Sequence, residues 1–172
     1  TIDYDMVYDI IPANNTTPES QVIHSLMQEA FRQDVKYGVI EVSSHSLKMF
    51  RVENLNFSVA GFTNLSLEHT EFHPNMEDYY NTKKRLFFEL PYKDKKNVIG
   101  IDNDYGLKLY KECKKAELDV VSVSVSNKEA DIFASDAEIK GCESSFVIHC
   151  KGEEKQCRIN MGGEYNVFNA LM

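Results

Sequence analysis

Apolar residues in the stretch 20–33 (SQVIHSLMQEAFRQ) fall at Val22, Ile23, Leu26, Met27, Ala30 and Phe31, the spacing of one helical face. Pro18 and Glu19 stand just before it, as suits a first helical turn. Residues 37–42 (YGVIEV) then form a short apolar run rich in β-branched side chains, which reads as a buried strand. Further strand-like runs follow at 57–63 (FSVAGFT) and 97–101 (NVIGI). A fourth, at 119–125 (DVVSVSV), alternates as a half-exposed strand would. A helix beginning near Asn75 (NMEDYYNTKKRLFFE) separates the second run from the third, and another at 104–115 (DYGLKLYKECKK) separates the third from the fourth.

Strands alternating with helices in this rhythm predict right-handed crossovers, and so an α/β fold with a mainly parallel sheet flanked by helices. The character changes at 130–161. Residues 134–138, 146–150 and 156–160 are short runs divided by acidic or glycine-bearing turns, which predicts a small antiparallel β appendage. Gly162 and Gly163 then precede Tyr165, Val167, Phe168, Leu171 and Met172, the opening of an amphipathic helix. A helix of so few turns has little to stabilise it without packing, so the chain reads as a piece of a longer protein. The expected organisation is an α/β core over 1–129, the appendage over 130–161 and a truncated closing helix over 162–172.

Composition narrows the classes of function. The 172 residues carry 19 Lys+Arg against 27 Asp+Glu, a formal charge of −8 that repels a nucleic-acid backbone. No run approaches the roughly 20 apolar residues of a membrane span, and no basic and apolar leader opens the chain. Neither nucleic acid nor membrane is an expected partner. The cysteines, Cys113, Cys142, Cys150 and Cys157, lack a C-x-x-C spacing and read as reduced thiols of a cytoplasmic protein. Cys150 and Cys157 flank a predicted turn at 151–154, where they either face each other or sit as separate half-buried thiols.

In an open parallel sheet, ligands gather beyond the carboxyl ends of the strands. Glu41, followed by Ser43, Ser44 and His45, stands after the first apolar run; Thr63, Asn64, Glu68, His69 and His73 follow the second. A carboxylate and an imidazole there can converge on a divalent cation, and oxygen donors suit Mg²⁺. His69 and His73 are four apart, but Pro74 and polar neighbours argue for a loop and against a helical pair of zinc ligands. Lys83 is the unusual position. Met76, Tyr79, Tyr80, Lys83 and Phe87 fall along one helical face, which places an amine on the apolar stripe. Burial favours a neutral amine, which is nucleophilic and reacts with carbon dioxide to give a carbamate; the structural alternative is a side chain that snorkels to water. Thr16 and Thr17 precede the first helix, as an anion site or as a simple cap. Arg51 suits a bidentate hold on phosphate or carboxylate, or a surface ion pair.

Several spaced motifs resemble one family in order: NTTPES at 15–20, EVSSHSLKMFR at 41–51, FTNLSLEHTEFH at 62–73 and MEDYYNTKKRLF at 76–87. DNDYG at 102–106 and EYNVFNAL at 164–171 continue the likeness. Together they are similar to the central domain of the Mur ligases. The resemblance implies an ATP- and Mg²⁺-dependent amide ligase, the kind that adds the third residue of the peptidoglycan stem peptide. Its substrates would be a UDP-N-acetylmuramoyl dipeptide and an amino acid, diaminopimelate or lysine, and it would work as a monomer. By the same resemblance Glu41, His69 and a carbamylated Lys83 would hold the metal, with Lys83 also taking part in catalysis. Thr16, Thr17, Ser43 and Arg51 would contact the muramoyl peptide, and Asn166 and Asn169 would lie near the adenine of ATP.

The chain departs from the family pattern in places. Glu68-His69 replaces the usual Asp-His pair, Met49 stands where a glutamine is common, and Gly100-Ile101-Asp102-Asn103 replaces Asn-x-Asp-Asp. No G-x-x-G-K-[ST] phosphate loop occurs in these residues; the family carries one upstream. The 172 residues alone are therefore expected to be inactive. Two other readings stay open: a muramoyl-peptide-binding module without catalysis, and a related ligase for another muramoyl substrate.

Overall fold

A computed structural model describes residues 3–5, 10–66, 72–90 and 94–172. The chain forms two compact units, Thr1–Asn56 with His69–Leu90, and Phe57–Glu68 with Pro91–Met172.

The first unit contains a two-stranded antiparallel ladder, β1 (Asp3–Asp5) with β2 (Ile10–Pro12), and three helices. Helix α1 (Ser20–Arg32) forms where the periodicity predicts, but of the stripe it buries only Ile23, while Val22, Met27 and Phe31 are exposed. Helix α2 (Ser44–Lys48) is capped by the Ser43 hydroxyl, which accepts from the Ser46 amide. Helix α3 (Met76–Phe88) is capped by Asn75, which accepts from the Asp78 amide, and it buries Tyr79, Tyr80, Leu86 and Phe87. Helix α2 packs against α3.

The strand expected at 37–42 does not form. Residues 35–43 join no ladder, and Tyr37 and Val39 are 90% and 100% exposed. A β-branched run records only a capacity for burial. The ladder that makes it a strand must come from a neighbour, and no described strand pairs with it.

The second unit is built on one six-stranded sheet in the order β3-β4-β5-β6-β7-β8. Strands β3 (Val59–Phe62), β4 (Lys96–Gly100), β5 (Val120–Ser124) and β6 (Ile132–Lys140) run parallel. Strands β7 (Glu143–Cys150) and β8 (Glu153–Ile159) continue it antiparallel. The antiparallel strands are thus hydrogen-bonded directly onto the parallel ones. Helix α4 (Asp104–Lys115) packs on β4 and β5, and α5 (Glu164–Leu171) on β5, β6 and β7. Val167 and Leu171 of α5 join Val123, Ala134 and Phe146 in the core.

The alternation in β5 has another cause than half-exposure. Ser122 and Ser124 are buried, so the strand is covered on both faces. The Asp131 carboxylate accepts from the Ser122 amide and hydroxyl, at 2.8 and 2.7 Å, which closes the short loop between parallel neighbours β5 and β6. Cys150 and Cys157 do not face each other: Cys150 pairs with Glu153 and Cys157 with Phe146, and all four cysteines are free thiols.

Two glycines permit the contacts at the carboxyl end of β4. A Cβ on Gly100 would lie 2.2 Å from Cζ of Phe168, so the ring of α5 rests on bare backbone there. A Cβ on Gly106 would lie 1.9 Å from the Gly100 carbonyl oxygen, so the first turn of α4 closes onto the same strand end. Each alanine substitution is expected to destabilise by about 1–3 kcal/mol or more through overpacking. Phe168→Leu should partly rescue Gly100→Ala, since the nearest obstacle there is the Phe168 ring and only the Thr63 carbonyl oxygen at 2.8 Å remains, and should not rescue Gly106→Ala, where the nearest obstacle is the Gly100 backbone. Urea denaturation of the single and double variants measures both effects.

Candidate functional site

Thr17, Ser43 and Arg51 are far apart in sequence and meet in the first unit. The buried Thr17 hydroxyl donates to the Glu41 carbonyl at 2.7 Å and accepts from the Ser43 amide at 3.0 Å, with the Ser43 hydroxyl 3.3 Å away. Thr17 therefore neither caps α1 nor leaves its hydroxyl open; it fastens the ladderless segment after residue 40 to the start of α1. Thr16 is half-buried beside it in sequence.

Arg51 is aimed by the end of α2. Its amide bonds the Ser46 carbonyl at 2.9 Å, and Phe50 before it lies in the left-handed region at φ 54°. This is a Schellman closure with an aromatic residue in place of the usual glycine. The Arg51 side chain is 11% exposed; Nη2 pairs with Glu19 at 2.6 Å and Nη1 donates to the Thr17 carbonyl at 3.1 Å. Its Nε is buried with no partner. A mostly buried guanidinium with an unsatisfied N–H suits an anionic ligand, because the neighbouring carboxylate on Glu19 is itself exposed and movable.

On α3 the aromatic part of the stripe is buried at Tyr79, Tyr80 and Phe87, while Lys83 is half-buried, as are Lys84 and Arg85 after it. Lys83 Nζ lies over the Tyr79 ring, 5.4 Å from its centroid. The Glu41 side chain is exposed while its carbonyl is held by Thr17. His69, like Glu68, lies outside the described residues. Among the described residues, no three acidic, histidine or cysteine side chains come together as a metal-binding cluster.

His73, weighed in the sequence as a zinc partner of His69 and set aside, is buried and tied on both sides. Nδ1 lies 2.7 Å from Asp78 Oδ2 and Nε2 lies 2.9 Å from the Ser44 hydroxyl. Lys48 also donates to Asp78 Oδ2, at 2.8 Å. At the other end of α3, Arg85 donates to the Leu47 carbonyl at 2.7 Å. These ties join residues 29 and 38 positions apart, which no local spacing signals.

In the second unit, Asn103 caps α4 by accepting from the Gly106 amide at 2.9 Å. Asparagine serves this role as well as the family's aspartate would. Asp102 accepts from the Ser124 and Ser126 hydroxyls and from the Val125 amide. Burial pushes its carboxyl up, but these hydrogen bonds outweigh burial and hold it below its ordinary 3.8. On α5, Asn166 donates its amide to the Gly162 carbonyl at 2.8 Å, and Asn169, one turn on, is exposed.

Residues 1–172 match the family described as the Mur ligase middle domain. The chain belongs to the Mur ligase family. It is 39% identical over 162 residues to the UDP-N-acetylmuramoyl-L-alanyl-D-glutamate–2,6-diaminopimelate ligase of Clostridium tetani, covering 94% of this chain and 32% of that protein. To the ligase of the same name from Alkaliphilus oremlandii it is 34% identical over 161 residues, with the same two coverages of 94% and 32%. The chain thus spans only a third or less of these Mur ligases, 32% of each. A solved structure of such a diaminopimelate ligase superposes with a TM-score of 0.81 over 95% of this chain and 33% of that one, at 24% identity. The D-alanyl-D-alanyl ligase of the family from Acinetobacter baumannii gives 0.73 over 92% and 34%, at 17% identity. At those identities the likeness shows the fold, a mostly parallel sheet flanked by helices with antiparallel strands added.

Two measurements check this geometry. Thr17→Val strands the Glu41 carbonyl and the Ser43 amide, and is expected to cost about 1–3 kcal/mol in urea denaturation. Hydrogen bonds from Lys48, then His73, hold the Asp78 carboxyl below its ordinary 3.8. A lowered native value stabilises the fold above the ordinary value, and this is lost as pH falls through the lowered one. The urea midpoints of wild type and Asp78→Asn should therefore differ near neutrality and converge as pH falls below the ordinary 3.8.

Proposed function

We propose that this chain is the central part of an ATP-dependent amide ligase that adds diaminopimelate to a UDP-N-acetylmuramoyl dipeptide. The observation that carries the reading is the meeting of Thr17, Ser43 and Arg51 around a mostly buried guanidinium whose Nε has no partner. Motif residues scattered along the chain gather in one place, and relatives named for that reaction are 39% and 34% identical to the chain over 162 and 161 residues.

Arg51 and Ser43 bind and orient the muramoyl peptide, with the buried Thr17 holding Ser43 in place and Thr16 beside it. In the chemistry proposed, the terminal phosphoryl group moves from ATP to the substrate carboxylate: a C–O–P linkage forms as the bond to the departing ADP breaks. The incoming amino group then attacks the carbonyl carbon, an amide forms, and inorganic phosphate leaves. Glu41 supplies an oxygen donor suited to Mg²⁺, and Lys83 becomes one by carbamylation. Its neutral amine attacks carbon dioxide, an N–C bond forms as one C=O π bond opens onto oxygen, and a proton leaves to water. His69 is the third member of the proposed set. Bound Mg²⁺ would neutralise charge where phosphate and carboxylate oxygens meet. Lys83 sits half-buried, with its Nζ over the Tyr79 ring. Asn166 and Asn169, on one side of α5, are proposed to flank the adenine.

The 172 residues hold no G-x-x-G-K-[ST] loop, so by themselves they are expected to release no phosphate from ATP. The intact protein is expected to release phosphate only when ATP, Mg²⁺, the UDP-muramoyl dipeptide and diaminopimelate are all present. Release with lysine alone would reassign the amino acid. Binding of the dipeptide without turnover under any combination would favour a non-catalytic binding module. Calorimetric titration of Arg51→Ala should show affinity for the dipeptide reduced about tenfold or more, the cost of a lost charge-assisted contact.

A further inference from the structure

We propose that His73 is a positioning residue for Lys83, acting through Tyr79 and the first turn of α3. The inference rests on the reading of Lys83 as the carbamylated residue.

The His73 ring makes three directed contacts while 4% exposed. Nδ1 lies 2.7 Å from Asp78 Oδ2. A carboxylate only accepts, so Nδ1 carries a proton and donates it; in the neutral ring Nε2 then accepts from the Ser44 hydroxyl at 2.9 Å. The face of the ring stacks on Tyr79, with centroids 4.7 Å apart and planes 26° from parallel. On the same α3 face, one turn further along, Lys83 Nζ lies over that Tyr79 ring. One buried imidazole thus holds the backbone turn that Lys83 grows from and the aromatic surface that its amine lies on. Its remaining contact reaches Ser44, three residues after Glu41, at the start of α2.

The placement ties α3 to α2 near both of its ends. Its first turn is pinned through His73 to one end of α2, and Arg85 pins its last turn to the Leu47 carbonyl near the other. Lys83 lies between the two ties. A long lysine stem has many rotamers, and a carbamate must present its oxygens in one place to be of use to a cation. A hydrophobic residue would fill the volume at position 73. An imidazole with both nitrogens satisfied also fixes direction, and it does so on Asp78 and Tyr79, the residues from which the Lys83 side chain is set.

The test is ¹³C NMR of the intact protein titrated with ¹³C-bicarbonate in the presence of Mg²⁺, with Lys83→Arg identifying the Lys83 carbamate signal. His73→Ala is expected to raise the half-saturating bicarbonate about tenfold or more, the usual scale for groups that orient ligands of a metal. If that variant does not fold, His73→Gln, which keeps a hydrogen bond but no ring, carries the same expectation. Lys48→Ala removes the half-buried pair to Asp78 and the hydrogen bond to the Phe72 carbonyl while leaving all three contacts of the His73 ring, and should lower thermal stability while staying within about twofold of wild type in bicarbonate. Tyr79→Phe keeps the ring and should likewise stay within about twofold. The inference is overturned if a folded His73 variant takes up bicarbonate like wild type, or if Lys48→Ala shifts the titration as far as His73→Ala does. A wild-type protein with no Lys83-dependent signal would remove the reading of Lys83 itself, and this inference with it; a wild-type signal that is indifferent to His73 removes this inference alone.

Discussion

A buried hydrogen-bonding side chain with no local partner is the constraint on which the first unit depends. Thr17 fixes a segment that has no ladder, and His73 fixes two helices that have only short surfaces to share. An unsatisfied buried polar group costs more than a satisfied one returns, so each such group locks the geometry of everything bonded to it. In this unit those groups stand at chain positions where the sequence supplies short helices and irregular segments. Side-chain hydrogen bonds there do the work that a sheet does in the second unit.

The second unit solves the same problem with backbone. Its six strands satisfy one another, and side chains enter only where the ladder is interrupted. Asp131 closes the short passage from β5 to β6, and Asp102 gathers the donors of residues 124–126 at the end of β5. Asn103 starts α4, while glycines at 100 and 106 let helix and strand approach without a Cβ between them. The carboxyl ends of β4 and β5 are therefore rigid for identifiable reasons, as suits the part of an α/β sheet where ligands gather.

The relation between the chain and its family is clearest where the two differ. Gly100 replaces the family's asparagine and accepts the ring of Phe168 in its place, and Asn103 keeps the capping role of the aspartate it replaces. Both departures preserve the packing of the strand end.

Much of the fold was legible in the linear pattern. The helices at 20–32, 76–88 and 104–115 and the strands at 59–62, 96–100 and 120–124 follow from apolar periodicity, with Asn75 and Asn103 capping the second and third of those helices, all local effects. The run at 37–42 was not legible, because a strand is a relation between two segments and its partner is not specified by its own residues. The stripe that half-buries Lys83 was also readable, since a helical face is fixed by spacing alone. Only the tertiary structure joined Thr17 to Ser43 and Arg51, or stacked His73 between Ser44, Asp78 and Tyr79. Those contacts span tens of residues, and whether a hydroxyl or an imidazole is satisfied depends on which distant groups folding brings to it.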